Sequence, residues 1–266
     1  METKNVLMKT DAETSGSAGR RVHQLRWRFI ALWVVFAFAV LEALYFAFRP
    51  GGLLAFGLGF DHETYVAAAR DWLTGRGFYE SYQLTGPYLI NAREILYPPI
   101  LLAVLVPFSF LPDVLWVIVP AALTALIVWS WRPNFWATLA IGLCLAAPST
   151  SGLYLLGSPG IWAVLAVAFA TRWGWAGPLV LVKPSLFPFA LVGIRTRSWW
   201  VSLALGGVLI VVTLPMWLDY VTVLLNARGP SANLLYGLWT LPIMLVPVLA
   251  WVGRTRHEDR EPGQVG

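Results

Sequence analysis

Charged side chains are scarce. Asp, Glu, Lys and Arg make up 12% of the 266 residues, against about 25% in water-soluble domains. A surface so poor in charge is not built for water alone. Cysteine is nearly missing as well: a single Cys144 excludes an internal disulfide and a cysteine-cluster metal site. The three histidines, His23, His62 and His257, lie too far apart for ligand spacing, and no metal site is expected. The net charge is +5, but the basic residues are scattered and form no stripe interleaved with exposed aromatics. That excludes a nucleic-acid surface. No stretch resembles a nucleotide-binding loop, so no cofactor is expected.

What is abundant is apolar: 58% of the residues are hydrophobic, in several runs near the roughly 20 residues a helix needs to cross a bilayer. Fifteen tryptophans accompany them, many near run ends, where indole rings favour the headgroup region. The composition predicts an all-α, multi-pass transmembrane helix bundle of about eight spans. These are placed at 29–48, 97–112, 113–131, 135–148, 160–172, 174–194, 199–218 and 232–252. The 14 residues 135–148 reach only about 21 Å at 1.5 Å per residue, so a half-helix or hairpin fits there as well as a full crossing. Residues 1–26 read as a disordered cytoplasmic segment, 27–252 as the membrane domain and 253–266 as a cytoplasmic tail. The arginines before the first run, from Arg20 to Arg28, put the N-terminus inside. Arg195, Arg197, Arg254, Arg256 and Arg260 then fall on the favourable side, whereas Arg132, Arg172 and Arg228 do not.

The one long polar stretch between spans, 49–96, carries four arginines against five acids and belongs to the exterior. Within it Tyr65, Val66, Ala69, Trp72 and Leu73 share one helical face. Gly75 supplies a C-terminal stop. The expectation is an amphipathic helix lying on the membrane surface with its apolar side down. Asp61 stands where an N-cap would, and the cap is one plain role for it. Glu63, Arg70 and Asp71 read as a solvated face, and His62 as a packing residue. Lys183 is unusual, since it lies inside the run 174–194 and precedes Pro184. A charge at that depth faces a protein cavity, snorkels to an interface, or pairs with a carbonyl freed by the proline. Glu42 lies within the first apolar run, lining a cavity or a helix contact.

Taken in order, Asp61-x-x-x-Tyr65-x-x-Ala68-Ala69, Gly75-x-Gly77-x-Tyr79, Tyr97-Pro98-Pro99, Pro107 and Leu111-Pro112 resemble a known opening. It is that of the polyprenyl-phosphate-sugar-dependent glycosyltransferases of family 87, in the C-type superfamily of membrane glycosyltransferases. The likeness continues through Leu156-Gly157-Ser158-Pro159-Gly160, the stretch from Ala176 to Pro184, and the basic turn from Arg195 to Trp200, covering about 27–200. There are two departures. The family usually has Gly-Gln and a nearby Asn where this chain has Gly157-Ser158, and its members are typically longer.

The resemblance implies a hexosyltransferase of the cell membrane with its active site on the exterior face. Its donor would be a polyprenyl-phosphate-linked hexose, mannose among the candidates, and its acceptor a lipid or glycan. Asp61 maps onto the catalytic base. Lys183, Arg228 and Arg70 are the candidate phosphate partners, and Tyr65 and Tyr97 are the motif tyrosines expected at the substrate. Two other readings compete with this one: an inactive short relative that binds lipid or joins a larger membrane complex, and a small transporter.

Overall fold

A computed structural model describes residues 30, 33–38, 40–42, 44–45, 48, 58–90, 94–229 and 240–255. The predicted N-terminal segment 1–26, residues 232–239 of the last expected span and most of the tail lie outside the described residues. Within the first expected span, 29–48, every described residue is helical. Glu42 there has a buried Oε2 with no hydrogen-bond partner among the described residues.

From residue 58 onward the chain is mostly helical. The helices are α1 (Phe60–Leu73), α2 (Ser81–Thr85), α3 (Leu102–Phe108), α4 (Asp113–Ser130), α5 (Phe135–Leu145), α6 (Pro148–Leu155), α7 (Gly160–Arg172), α8 (Phe187–Ala190), α9 (Arg197–Val212), α10 (Leu214–Asn226) and α11 (Leu241–Val252). Helix α7 is apolar all round, and from Gly160 to Thr171 nearly every residue is buried. A helix of that kind belongs at the centre of a core. It forms the axis, packed by α4, by α11 and by the segment that follows it.

Helix α4 is the one described helix long and apolar enough to cross a membrane, and up to three spans are present if each of two bent pairs counts as one. It buries only Trp116, Pro120, Thr124 and Ile127, a single stripe. Its opposite face exposes Val114, Ile118, Leu126 and Trp129. Helix α9 buries Trp199 alone and exposes Val201, Leu205, Val208 and Val211.

Proline decides where the expected spans break. The run 135–148 holds α5, and α6 starts at its last residue, Pro148, bent from α5 by 60°. Ala147 before Pro148 is extended, as the residue before a proline tends to be. The expected span 199–218 divides at Thr213 into α9 and α10, at 88°, and Pro215 cannot donate into the preceding turn. The expected span 174–194 is not one helix. It comprises a 3-10 helix, Gly174–Val182, a second 3-10 turn, Pro184–Leu186, and α8, with Pro178, Pro184 and Pro188 denying it the α ladder.

The mostly helical fold agrees with the all-α expectation, and its strands are minimal. Two-residue strands β1 (Tyr88–Leu89) and β2 (Ala227–Arg228) pair in parallel and clasp the first polar stretch to the end of α10. The clasp has a buried polar backing. The Gln83 amide donates to the Tyr88 hydroxyl and the Ile95 carbonyl, Tyr88 donates to the Val223 carbonyl, and Asn226 donates to the Gln83 carbonyl.

Candidate functional site

Helix α1 forms as its periodicity predicts, but its apolar face meets protein rather than lipid. His62, Tyr65, Val66 and Ala69 are buried, with α3 packed alongside, while Trp72 and Leu73 remain exposed. Asp61 is not the N-cap. Gly59 holds that position with φ 76°, and no side chain caps the helix. The reason lies in α6. The N–H groups of Asp61 and His62 donate to the Leu156 carbonyl, at 2.9 and 3.4 Å, and that of Gly59 to Leu155 at 2.9 Å. The C-terminal carbonyls of one helix therefore satisfy the orphan donors at the N-terminus of the other. This leaves the Asp61 carboxylate free of capping.

Helix α6 ends in a Schellman turn. The Ser158 N–H reaches the Leu153 carbonyl at 2.9 Å and that of Gly157 reaches Tyr154 at 3.2 Å, with Gly157 left-handed at φ 67°. The buried Trp116 indole donates to the Gly157 carbonyl at 2.7 Å and fixes the turn from below. A Cβ on Gly157 would lie 3.0 Å from that of His62. Gly157→Ala is therefore expected to lower stability by about 1–2 kcal/mol from the left-handed conformation alone. Thermal unfolding in detergent reads this directly, and an unchanged midpoint would show that the turn relaxes without cost.

The turn delivers Ser158 to Asp61, where its hydroxyl favours the ionised carboxylate. Ser158 also lies beside the Tyr97 hydroxyl, and its Oγ accepts from the Gly160 N–H at 3.4 Å. Tyr97 is held in turn. The Tyr79 hydroxyl donates to its carbonyl at 2.9 Å, and the Tyr65 ring meets its ring edge-on at 5.3 Å between centroids.

Lys183 arrives from the far side of α7 by a length match. Thirteen residues of α-helix extend about 20 Å. The nine returning residues cover about 18 Å as a 3-10 helix at ~2.0 Å each, but would cover only about 14 Å as α-helix. The tighter winding thus brings Lys183 back level with Gly160. Its Nζ is 3.7 Å from where a Gly160 Cβ would stand and 5.9 Å from the Tyr97 ring centroid, within cation–π range.

Burial pushes the Asp61 carboxyl up to about 6, while the Ser158 hydrogen bond and the Lys183 charge pull the other way. His62 shifts downward, also mainly through burial, with Asp113 opposing. It is therefore neutral at pH 7, with Nδ1 3.9 Å from Asp113 and its ring 5.1 Å from Trp116. This matches a packing role.

Of the residues expected at a site, Asp61, Lys183, Tyr97 and Tyr65 come together. Arg70 and Arg228 are engaged elsewhere. Arg70 donates to the Ser109 carbonyl at 2.9 Å, and Arg228 is exposed on β2, donating to the carbonyls of Leu225 and Ala227. Among the described residues no hydrogen bond or ion pair links either to Asp61. Ser158 was not anticipated. Gly157-Ser158-Pro159-Gly160 is legible as a turn opening a helix, but nothing local names Asp61 as its partner. Among the described residues no cluster of three or more His, Cys, Asp or Glu could hold a metal ion. No family model, curated protein or solved structure matches the chain.

Proposed function

We propose that this chain is an integral membrane hexosyltransferase that moves a sugar from a polyprenyl-phosphate donor to an acceptor hydroxyl at the exterior face. The observation that carries this reading is the meeting of Asp61 and Lys183, distant in sequence, beside Tyr97 and Ser158 at one end of α7. A carboxylate that titrates near 6 suits a general base, because it is ionised at neutral pH yet basic enough to take a proton. In the transfer, the acceptor oxygen bonds to the anomeric carbon and its proton passes to Asp61. The bond from the anomeric carbon to the phosphate oxygen breaks, and the phosphate leaves with the electron pair. Lys183 offsets the charge that builds there.

The membrane setting is part of the same proposal. The exposed apolar faces of α4 and α9 suit lipid. In a bundle of about eight crossings, the short α7 would lie within protein, where its length need not match the bilayer.

The test uses purified protein in liposomes, supplied with a polyprenyl-phosphate hexose and membrane-derived acceptor lipids or glycans. Transfer is expected, with kcat/KM rising as pH passes through about 6 and level above it. That is the direction for a base that must lose its own proton first. Absence of turnover, or a profile flat from pH 5 to 8, would remove Asp61 from this role.

A further inference from the structure

We infer that the end of the bundle away from Asp61 is a seat for anionic phospholipid headgroups of the cytoplasmic leaflet, and that the runs 97–112 and 174–194 each enter and leave on one side of the membrane. This rests on the membrane setting proposed above and not on sugar transfer. Helix α7 runs from Gly160, beside Lys183, to Arg172, and each end gathers its own charge. At the Arg172 end the Trp131 indole donates to Thr171 at 3.0 Å. The Arg172 and Arg254 guanidiniums lie 5.4 and 5.7 Å from the Trp131 ring centroid. The Thr255 N–H donates to the Arg132 carbonyl at 3.2 Å, so the ends of α4 and α11 meet there. A Cβ on Gly193 would stand 2.6 Å from the Gly174 Cα, and Thr196 packs on Gly174. That adds Arg195 and Arg197 to the same end. All five arginines are exposed, and among the described residues none of them pairs with an acid.

The acids gather at the Asp61 end. Asp113 is 3.9 Å from His62, Tyr82 donates to Glu94, and α10, which carries Asp219, stacks Tyr220 on Tyr79. Exposed indoles mark the arginine end instead: Trp129, Trp136, Trp173, Trp175 and Trp200. Tryptophan favours the headgroup level and arginine the cytoplasmic side, so the arginine end is the inner face. Guanidiniums held together without a carboxylate call for an anion. A lipid phosphate supplies one, because it can accept two parallel N–H bonds from one arginine.

Two runs then fail to cross. Tyr97 opens the first of them beside Lys183, and Ser109 near its end accepts from Arg70 of α1 at 2.9 Å. Phe108 meets the Trp116 ring at 5.6 Å, and Trp116 holds the Gly157 turn. Both ends of 97–112 therefore lie on the exterior side. The run 174–194 does the reverse. Gly174 and Gly193 touch at the arginine end, while Lys183 between them reaches Gly160 at the other. It is a re-entrant hairpin with Lys183 at its tip. Irregular backbone at that depth is tolerated where protein buries it, as it does Ala176, Gly177, Pro178 and Val180. Six crossings replace the eight expected: the first run, α4, α5 with α6, α7, α9 and α11. The count stays even, so the first and last keep their expected directions. Arg132 and Arg172, which eight crossings would leave outside, move to the inner face.

Sidedness is read by labelling single cysteines. Cys144 is the lone cysteine, so Cys144→Ala supplies the background. Phe110→Cys, Trp136→Cys and Trp173→Cys, all at exposed positions, are treated with a membrane-impermeant maleimide in intact cells and in inside-out vesicles. Thr85→Cys and Ser198→Cys serve as exterior and cytoplasmic references. Position 110 is expected to label from outside, with 85, and positions 136 and 173 from inside only, with 198. Eight crossings give the opposite result at all three, and labelling of 110 from inside or of 173 from outside overturns the inference.

The lipid seat has its own readout. Purified protein in detergent is titrated with phosphatidylglycerol and with phosphatidylcholine, and bound lipid is counted by native mass spectrometry. Phosphatidylglycerol is expected to bind more tightly, and less so as salt rises. At about fivefold per arginine beside an anionic surface, Arg172→Gln with Arg254→Gln should weaken it roughly 25-fold. Arg195→Gln with Arg197→Gln, outside the Trp131 cluster, should do the same, and Arg76→Gln at the Asp61 end should change nothing. Equal binding of the two lipids, or phosphatidylglycerol binding that survives in both double variants, overturns the seat. Neither measurement needs turnover, so a protein that transfers no sugar can still give both expected results.

Discussion

Asp61→Asn is expected to cut sugar transfer by about 10²–10⁴-fold, the usual worth of a general base, while making the protein more stable at neutral pH. The two effects have one cause. In the unfolded chain the carboxyl titrates near 3.9, and in the fold it titrates near 6. Between those values the folded state binds more protons than the unfolded state, so stability falls as pH rises through the window. Below about pH 4 both states are protonated and the penalty disappears. Above about 6 it is complete. Two units correspond to roughly 3 kcal/mol at most, and about 1–3 kcal/mol is a fair range for a group still partly solvated. Asparagine keeps the shape but carries no charge to desolvate. Thermal unfolding at pH 5 and pH 7.5 therefore separates two roles. If Asp61 carried neither a desolvated charge nor a catalytic proton, neither stability nor transfer would change much. A mutant no more stable than wild type at pH 7.5 would show that the carboxylate is not strained by burial.

Lys183→Met should be nearly as severe. The thioether replaces most of the lysine stem and leaves only the charge missing. Losing a cation aimed at developing negative charge costs about 10²–10³-fold, by comparison with lost oxyanion donors. A second signature follows from the pairing with Asp61. The lysine's charge favours the ionised carboxylate, so its removal pushes the Asp61 titration higher and moves the acid limb of the rate profile up in pH. Lys183→Arg is expected to return the limb to its place but to recover only part of the rate. Its planar head is larger and must fit beside Gly160, where a Cβ would already stand 3.7 Å from the ammonium. A rate lost with no movement of the limb would mean that Lys183 and Asp61 do not act on one another.

Helix α1 shows how far local pattern reaches. The spacing of Tyr65, Val66 and Ala69 gave both the helix and its buried face, because a 3.6-residue period depends only on neighbours in the chain. What lay against that face did not follow, since lipid and protein impose the same apolar stripe. The Asp61 cap failed for a related reason. Its replacement is a carbonyl at Leu156, far along the chain, and no local rule can see it. Lys183 stood out as a charge in an apolar run, but the 3-10 winding that sets its height was hidden inside an apparently continuous span.

The sequence by itself determined that this protein is helical and apolar enough for a membrane, where its turns fall, and which few polar residues stand out against that background. Those features depend on composition and on contacts a few residues apart. Only the tertiary structure decided that Ser158, Tyr97 and Lys183 converge on Asp61 while Arg70 and Arg228 do not. That convergence depends on how the return segment matches α7 in length and how α6 meets α1 end to end, and distances across a fold are not written in the spacing along a chain.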